Sequence, residues 1–468
     1  MTSNHHPHPS SAPPELNALP QGTARGLLIT AAAAVVAIAL YYWLPYEQNA
    51  NKGLALLAFV AILWLSEAVH ITITALMIPI LAVLIKIPEM TTQRAFSSFA
   101  DPIIFLFFGG FALATALRVQ RLDRKIALWL ISISGGHLLV ASLVLFAVTA
   151  FLSMWISNTA TAAMMLPLAL GMLSHLDREQ DRNTFVFVLL GVAYSASVGG
   201  LGSLVGSPPN AIAGKALNLD FASWMKIGLP VMLLILPLMV LAMLVVLRPN
   251  LKQKISLVTE DIPWNLPRVL TMLVFACTAL AWIFGERLKN ALGISNPDTW
   301  VAVSAAVAVV LLGLANWKQV ADNTDWGILF LFGGGIALSA ILSRSGASAV
   351  LGEQVASSFF QAHPLLVVLV VTAFIVFLTE FTSNTASAAL LVPIFVSIAP
   401  QLGIPEYALV MIIALGASCA FMLPVATPPN AIVFGSGLIR QREMVRVGLV
   451  LNLMCVGLIT LMGYLFLM

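Results

Sequence analysis

Residues 157–167 read SNTATAAMMLP, and residues 383–393 read SNTASAALLVP. Seven of the eleven positions are identical and the rest exchange similar residues, so the chain carries one motif twice. Two further pairs fall in the same order around it. FLFFGGFALA at 105–114 answers FLFGGGIALS at 330–339, and GSPPNAI at 206–212 answers ATPPNAI at 426–432. The repeat is therefore roughly half a chain long.

The surroundings of the motif are those of a membrane interior. Of 468 residues, 60% are hydrophobic and only 9% charged, against about 45–50% and about 25% in soluble domains. The charges cluster between apolar stretches of about 17 to 25 residues, the length that crosses a hydrocarbon core as helix. A soluble globule is excluded. The first apolar stretch is followed by many others, which reads as a spanning anchor and not a cleaved signal. Residues 1–24, rich in Pro, His and Ser, are expected to form a disordered cytoplasmic tail. His5, His6 and His8 there are read as solvated. The net charge of +3 and the lack of a basic run interleaved with aromatics argue against a nucleic-acid partner. Cys277, Cys419 and Cys455 show no metal-ligand spacing and are read as buried free thiols.

Apolar spans are expected at 26–45, 52–69, 71–87, 102–118, 184–218, 226–247, 268–285, 298–315, 326–343, 405–438 and 444–467, eleven crossings in all. Two more apolar regions, 138–174 and 362–399, are each interrupted by the Ser-Asn-Thr motif. Helix breaks at membrane depth are tolerated where they line a protein cavity, so both regions read as re-entrant hairpins. With the N-terminus in the cytoplasm, fifteen Lys/Arg fall inside and seven outside, the bias of the positive-inside rule. An odd count then places the C-terminus outside. Five crossings separate the hairpins, so the two halves lie inverted in the membrane. Inverted repeats with paired broken helices place substrate and coupling-ion sites where the halves meet, which points to a secondary transporter.

The motif chemistry agrees. Ser157, Asn158 and Thr159, with Ser383, Asn384 and Thr385, bring hydroxyl and amide oxygens to a helix break, the ligand set that hard cations take. Asn or Ser there is a good cap for the Ala-rich helix that follows, whose start favours a carboxylate. Pro208, Pro209, Pro428 and Pro429 lack donors and unwind their spans, freeing the Gly206 and Ala426 carbonyls. Ser207 and Thr427 add hydroxyls. Asn210 and Asn430 either ligate or tie down the backbone. Ser153 and Thr379 match across the repeat, one turn before each motif, and either bond back to their own helix or face the break. Glu380, where the first copy has Met154, is an intramembrane carboxylate suited to proton coupling, to cation attraction or to a neighbouring polar group. No Arg or Lys lies in these segments, so an anion must be held by helix starts, hydroxyls, amides and co-bound cations. No HExxH, CxxC, Gly-x-Ser-x-Gly or Walker A occurs, which speaks against an enzyme.

On the doubled SNT and doubled PPN, the chain from about residue 25 onward resembles the divalent anion/sodium symporters, the di- and tricarboxylate transporters of the ion-transporter superfamily. The resemblance implies two symmetric sodium sites, one at Ser153, Ser157, Asn158 and Gly206, its mate at Thr379, Ser383, Asn384 and Ala426. It implies a carboxylate site at Asn158, Thr159, Ser207, Asn384, Thr385, Thr427 and Pro428. It further implies a homodimer, with a scaffold domain and a transport domain that moves as an elevator, and a surface helix after Arg118–Lys125. The chain then divides into the tail (1–24), first-repeat scaffold spans (25–100), first-repeat transport elements (101–225), second-repeat scaffold spans (226–325), second-repeat transport elements (326–440) and a last span (441–468). The expectation is an all-α polytopic protein of the cell inner membrane that couples sodium to uptake of C4-dicarboxylates such as succinate. A sodium-independent di/tricarboxylate exchanger and a sulfate transporter are the alternatives.

Overall fold

The computed structural model describes residues 21–132, 134–254, 260–358 and 363–467. Most of the expected tail, with its histidines, lies outside them. Residues 21–24, placed in that tail by composition, already belong to the first helix. The described chain is helical throughout, without β-strands; its only bridge is the isolated His137–Lys254 pair.

In chain order the first half contains α1 (Gln21–Trp43), α2 (Gln48–Ser66), α3 (Ile71–Leu84), α4 (Thr92–Ser97), α5 (Pro102–Val119), α6 (Leu122–Ser132), α7 (Leu138–Ser153), α8 (Asn158–Leu173), α9 (Arg182–Gly199), α10 (Pro208–Ala216) and α11 (Phe221–Leu247). The second half contains α12 (Leu266–Ile283), α13 (Gly285–Leu292), α14 (Pro297–Leu311), α15 (Trp317–Asn323), α16 (Trp326–Ser345), α17 (Ala347–Ser358), α18 (Pro364–Leu378), α19 (Asn384–Ile398), α20 (Glu406–Ala417), α21 (Pro428–Phe434) and α22 (Gln441–Met462). The starts follow elementary capping rules. Asp101, Asp220, Asn265 and Asp325 each accept a backbone N–H of the helix they open. Pro occupies the first turn of α5, α10, α12, α14, α18 and α21.

Every expected crossing corresponds to a helix or a broken helix. Among the described residues, nine helices are long and apolar enough to cross a membrane alone, ten with the bent pair α13–α14. The difference from eleven has a physical reason. α3 has only 14 residues, and α20 and α21 are halves of one broken span. In the second hairpin, α19 with the turn that follows it is itself long enough to qualify.

The two halves interlock. α5 packs on α14 of the other half, and α16 on α3. Both contacts are made through the doubled Phe-Gly-Gly motif. A methyl on Gly109 would sit 2.4 Å from the Ala302 carbonyl, and one on Gly334 2.6 Å from the Ala75 side chain. Helices without a hydrophobic drive between them associate where small residues let backbones approach. At the centre, α9 is buried along its length from Thr184 to Gly199. α21 packs against it and α10 packs against α20, again one half on the other. The thiols are free; Cys419 and Cys455 are buried as expected, whereas Cys277 is exposed, because α12 buries only the narrow face of Thr271, Thr278 and Trp282.

Candidate functional site

Both hairpins turn at their Ser-Asn-Thr. Ser157 caps α8 by accepting the Ala160 N–H at 3.3 Å, and Ser383 caps α19 by accepting the Ala386 N–H at 3.5 Å. Asn158 and Asn384 are the first residues of these helices. The hydroxyls of Ser157 and Ser383 thus serve the helix starts.

Just behind each cap, oxygens face oxygens. The Ser153 hydroxyl, with one proton, meets Asn158 Oδ1 at 2.7 Å and the Ala196 carbonyl at 2.6 Å. The Asn158 amide can also present its nitrogen, donating to Gly206 O at 3.2 Å, Ala196 O at 3.1 Å and Ser153 Oγ at 2.7 Å. A set with more lone pairs than protons is resolved either by that reversed amide or by a cation among the oxygens. The second repeat does the same. Thr379 Oγ1 meets Asn384 Oδ1 at 2.6 Å and Ala417 O at 2.9 Å. Ser153 and Thr379 are fully buried. The donor set of hydroxyl, amide and backbone carbonyl suits a sodium ion. Among the described residues no group of three His, Cys, Asp or Glu could hold a metal.

The Pro-Pro pairs do not interrupt helices; they begin them, and the unwound stretch lies upstream. Asn210 Nδ2 donates to Gly200 O and Ser203 O, both at 2.8 Å. Asn430 Nδ2 donates to Ala420 O at 3.2 Å and Leu423 O at 3.0 Å. Both asparagines therefore brace the breaks. Gly200 is needed there, because a methyl would stand 2.7 Å from Asn158 Oδ1 and 3.0 Å from Gly206 O.

Of the expected carboxylate set, Ser207 and Thr427 are buried, Asn158, Asn384 and Thr385 half-buried, and Thr159 and Pro428 exposed. α8 packs on α21 and α19 on α10, so the hairpin helix of each repeat meets the Pro-Pro-Asn helix of the other. Thr427 caps α21 through the Asn430 N–H at 3.2 Å, whereas Ser207 Oγ lies 3.4 Å from Ser418 Oγ of the other half. Three participants escaped sequence reading: the Ala196 and Ala417 carbonyls and the Ser418 hydroxyl. Their signal was the dipeptide Ala-Ser at 196–197, repeated at 417–418.

Interlocked repeats, each with a hairpin and a broken helix meeting at mirrored oxygen clusters, define a membrane transport protein and not an enzyme. Residues 24–468 match the family described as the sodium:sulfate symporter transmembrane region, and the chain belongs to that family. An uncharacterised transporter of Haemophilus influenzae is 57% identical, covering 90% of this chain and 93% of its own. An uncharacterised transporter of Methanocaldococcus jannaschii is 36% identical over 89% of this chain and 94% of its own. The sodium-dependent dicarboxylate transporter SdcS of Staphylococcus saprophyticus is 32% identical over 89% and 87%. Among solved structures, the YdaH transporter of Alcanivorax borkumensis shares the fold, with a TM-score of 0.56 and 13% identity over 96% of this chain and 99% of that one.

Proposed function

We propose that the protein couples sodium to the uptake of a C4-dicarboxylate such as succinate. The carrying observation is the pair of clusters behind the caps, each gathering a hydroxyl, an amide and a backbone carbonyl, and each repeated by the internal symmetry. One sodium is held by Ser153, Asn158 and Gly206 with Ser157 at its rim, the other by Thr379, Asn384 and Ala426 with Ser383. The dianion lies between them on the starts of α8 and α19, against Asn158, Thr159, Ser207, Asn384, Thr385, Thr427 and Pro428. Helix starts contribute partial positive charge there, and the two cations supply the rest. Cation and anion then raise each other's affinity by the same factor. The sodium-dependent dicarboxylate transporters of the staphylococci support this substrate class. The reading includes alternating access of the elevator type, a homodimer in the cell inner membrane, and a cytoplasmic N-terminus with the C-terminus outside.

Labelled succinate uptake into proteoliposomes tests it. An inward sodium gradient drives accumulation; uptake indifferent to sodium but dependent on internal anion defines an exchanger instead and overturns the symport. The family's sulfate-named description favours one second reading. Excess sulfate that abolishes succinate uptake, with labelled sulfate itself accumulated, would establish sulfate as the substrate.

A further inference from the structure

Glu380 directly follows Thr379 in the second oxygen cluster and is 1% exposed. Its carboxylate accepts four hydrogen bonds. Oε1 takes the N–H groups of Phe421 at 2.7 Å and Met422 at 2.9 Å and the Asn452 amide at 2.6 Å; Oε2 takes the Leu423 N–H at 3.0 Å. Every partner is a donor, the arrangement that an ionised carboxylate requires. Asn452 turns its nitrogen to the carboxylate although its own Oδ1 is left buried without a partner.

All four donors are neutral, and among the described residues none of the ion pairs includes Glu380. A buried charge among apolar helices calls for a counter-charge. The adjoining Thr379 cluster is where the proposed cation would supply one. The carboxylate also shapes the break. In planar trans peptides the carbonyl points opposite to the following N–H, so gathering three consecutive N–H groups turns the Ala420, Phe421 and Met422 carbonyls away from Glu380. Two of these are taken up on the far side, Ala420 O by Asn430 and Phe421 O by the Tyr194 hydroxyl at 2.7 Å.

The first repeat braces its break without charge. Met154 stands where Glu380 does, its carbonyl accepts the Ser203 hydroxyl, and Leu201 O accepts the Trp224 indole N–H at 3.0 Å. Two clusters with nearly the same oxygens thus differ by one buried carboxyl group whose hydrogen-bond partners are all donors. We propose that Glu380 is the fixed counter-charge of the second cation site, which makes that site the tighter of the two and the one that fills first. The inference rests on the sodium-coupled reading above and goes beyond it by ranking the sites.

The test is sodium titration of the purified full chain by calorimetry, without dicarboxylate. Wild type should show two separable phases, with T379A removing the tight one and S153A the weak one. E380Q should weaken the tight phase at least tenfold and leave the weak phase in place, while E380D, which keeps the charge, should restore most of it. A merely structural residue would disturb both phases together. Unchanged phases in a monodisperse E380Q, or an E380D no better than E380Q, would overturn the proposal. Should E380Q fail to fold, M154E carries the test: it should tighten the weak phase, and a folded M154E with unchanged phases counts against the counter-charge. Wild type without any saturable sodium response removes the sodium reading itself, an outcome distinct from all of these.

Discussion

At the scale of single residues, the first oxygen cluster depends on a missing side chain as much as on the ones present. Gly200 lets the Asn158 amide and the Gly206 carbonyl approach within a distance that a methyl would fill. The matching position in the second repeat is Ala420, so that cluster tolerates the methyl. Gly200→Ala should therefore lower sodium-dependent uptake more than tenfold, whereas Ala420→Gly should leave it within about twofold; equal effects of the two in a transport assay would refute the asymmetry. Asn158 and Asn384 were legible in the sequence because a polar triplet recurring in an apolar stretch has few packing explanations. Ala196 and Ala417 were harder to read, since a ligating backbone carbonyl need not show in its residue's type, and only the repeated Ala-Ser dipeptide at 196–197 and 417–418 pointed to them. Glu380 stood out by type, but its four donors come from residues 41 to 72 positions away, which only the folded chain brings together.

At the scale of elements, the breaks in α9–α10 and α20–α21 are braced by a side chain that fills each gap in the backbone ladder. Asn430 satisfies Ala420 O and Leu423 O, and Asn210 satisfies Gly200 O and Ser203 O. A buried carbonyl that loses its donor costs about 1–3 kcal/mol. Asn430→Ala should thus destabilise the protein by about 2–5 kcal/mol, read as a lowered midpoint of thermal unfolding. Asn384→Ala, whose amide faces the proposed cation, should instead nearly abolish uptake while unfolding close to wild type. If the two variants lost stability equally, bracing by Asn430 and ligation by Asn384 would not be separate roles. The sequence alone left both roles open for Asn210 and Asn430, because an amide seven residues from its acceptor looks the same as one aimed at a ligand. The prolines were read as breakers of their spans; in the structure they open α10 and α21, where a missing N–H and a fixed φ suit the first turn.

At the scale of the whole molecule, the two repeats share sequence and internal contacts but not surroundings. α19 packs against α16 and α17, and α8 makes no comparable contact with α5 or α6. The difference is visible at one matched position. Ala389 is fully buried, while Ala163, its counterpart in α8, is exposed. A methyl on Gly335 would touch the Ala389 side chain at 3.5 Å, whereas the matching Gly110 instead lies against Val205 at 3.6 Å. In an alternating-access cycle built from inverted repeats, the opposite state arises when each repeat takes up the environment of the other. Gly110 should then approach Ala163 in that state. In a background with Cys277, Cys419 and Cys455 replaced by Ser, Gly335→Cys with Ala389→Cys should cross-link in the state described here, its Cβ separation being within the range of a disulfide. Gly110→Cys with Ala163→Cys should cross-link only when the protein visits the other state. Each disulfide should stop transport, and reduction should restore it. A Gly110–Ala163 pair that never cross-links during turnover, while Gly335–Ala389 does, would show that the molecule does not alternate by exchanging the roles of its halves.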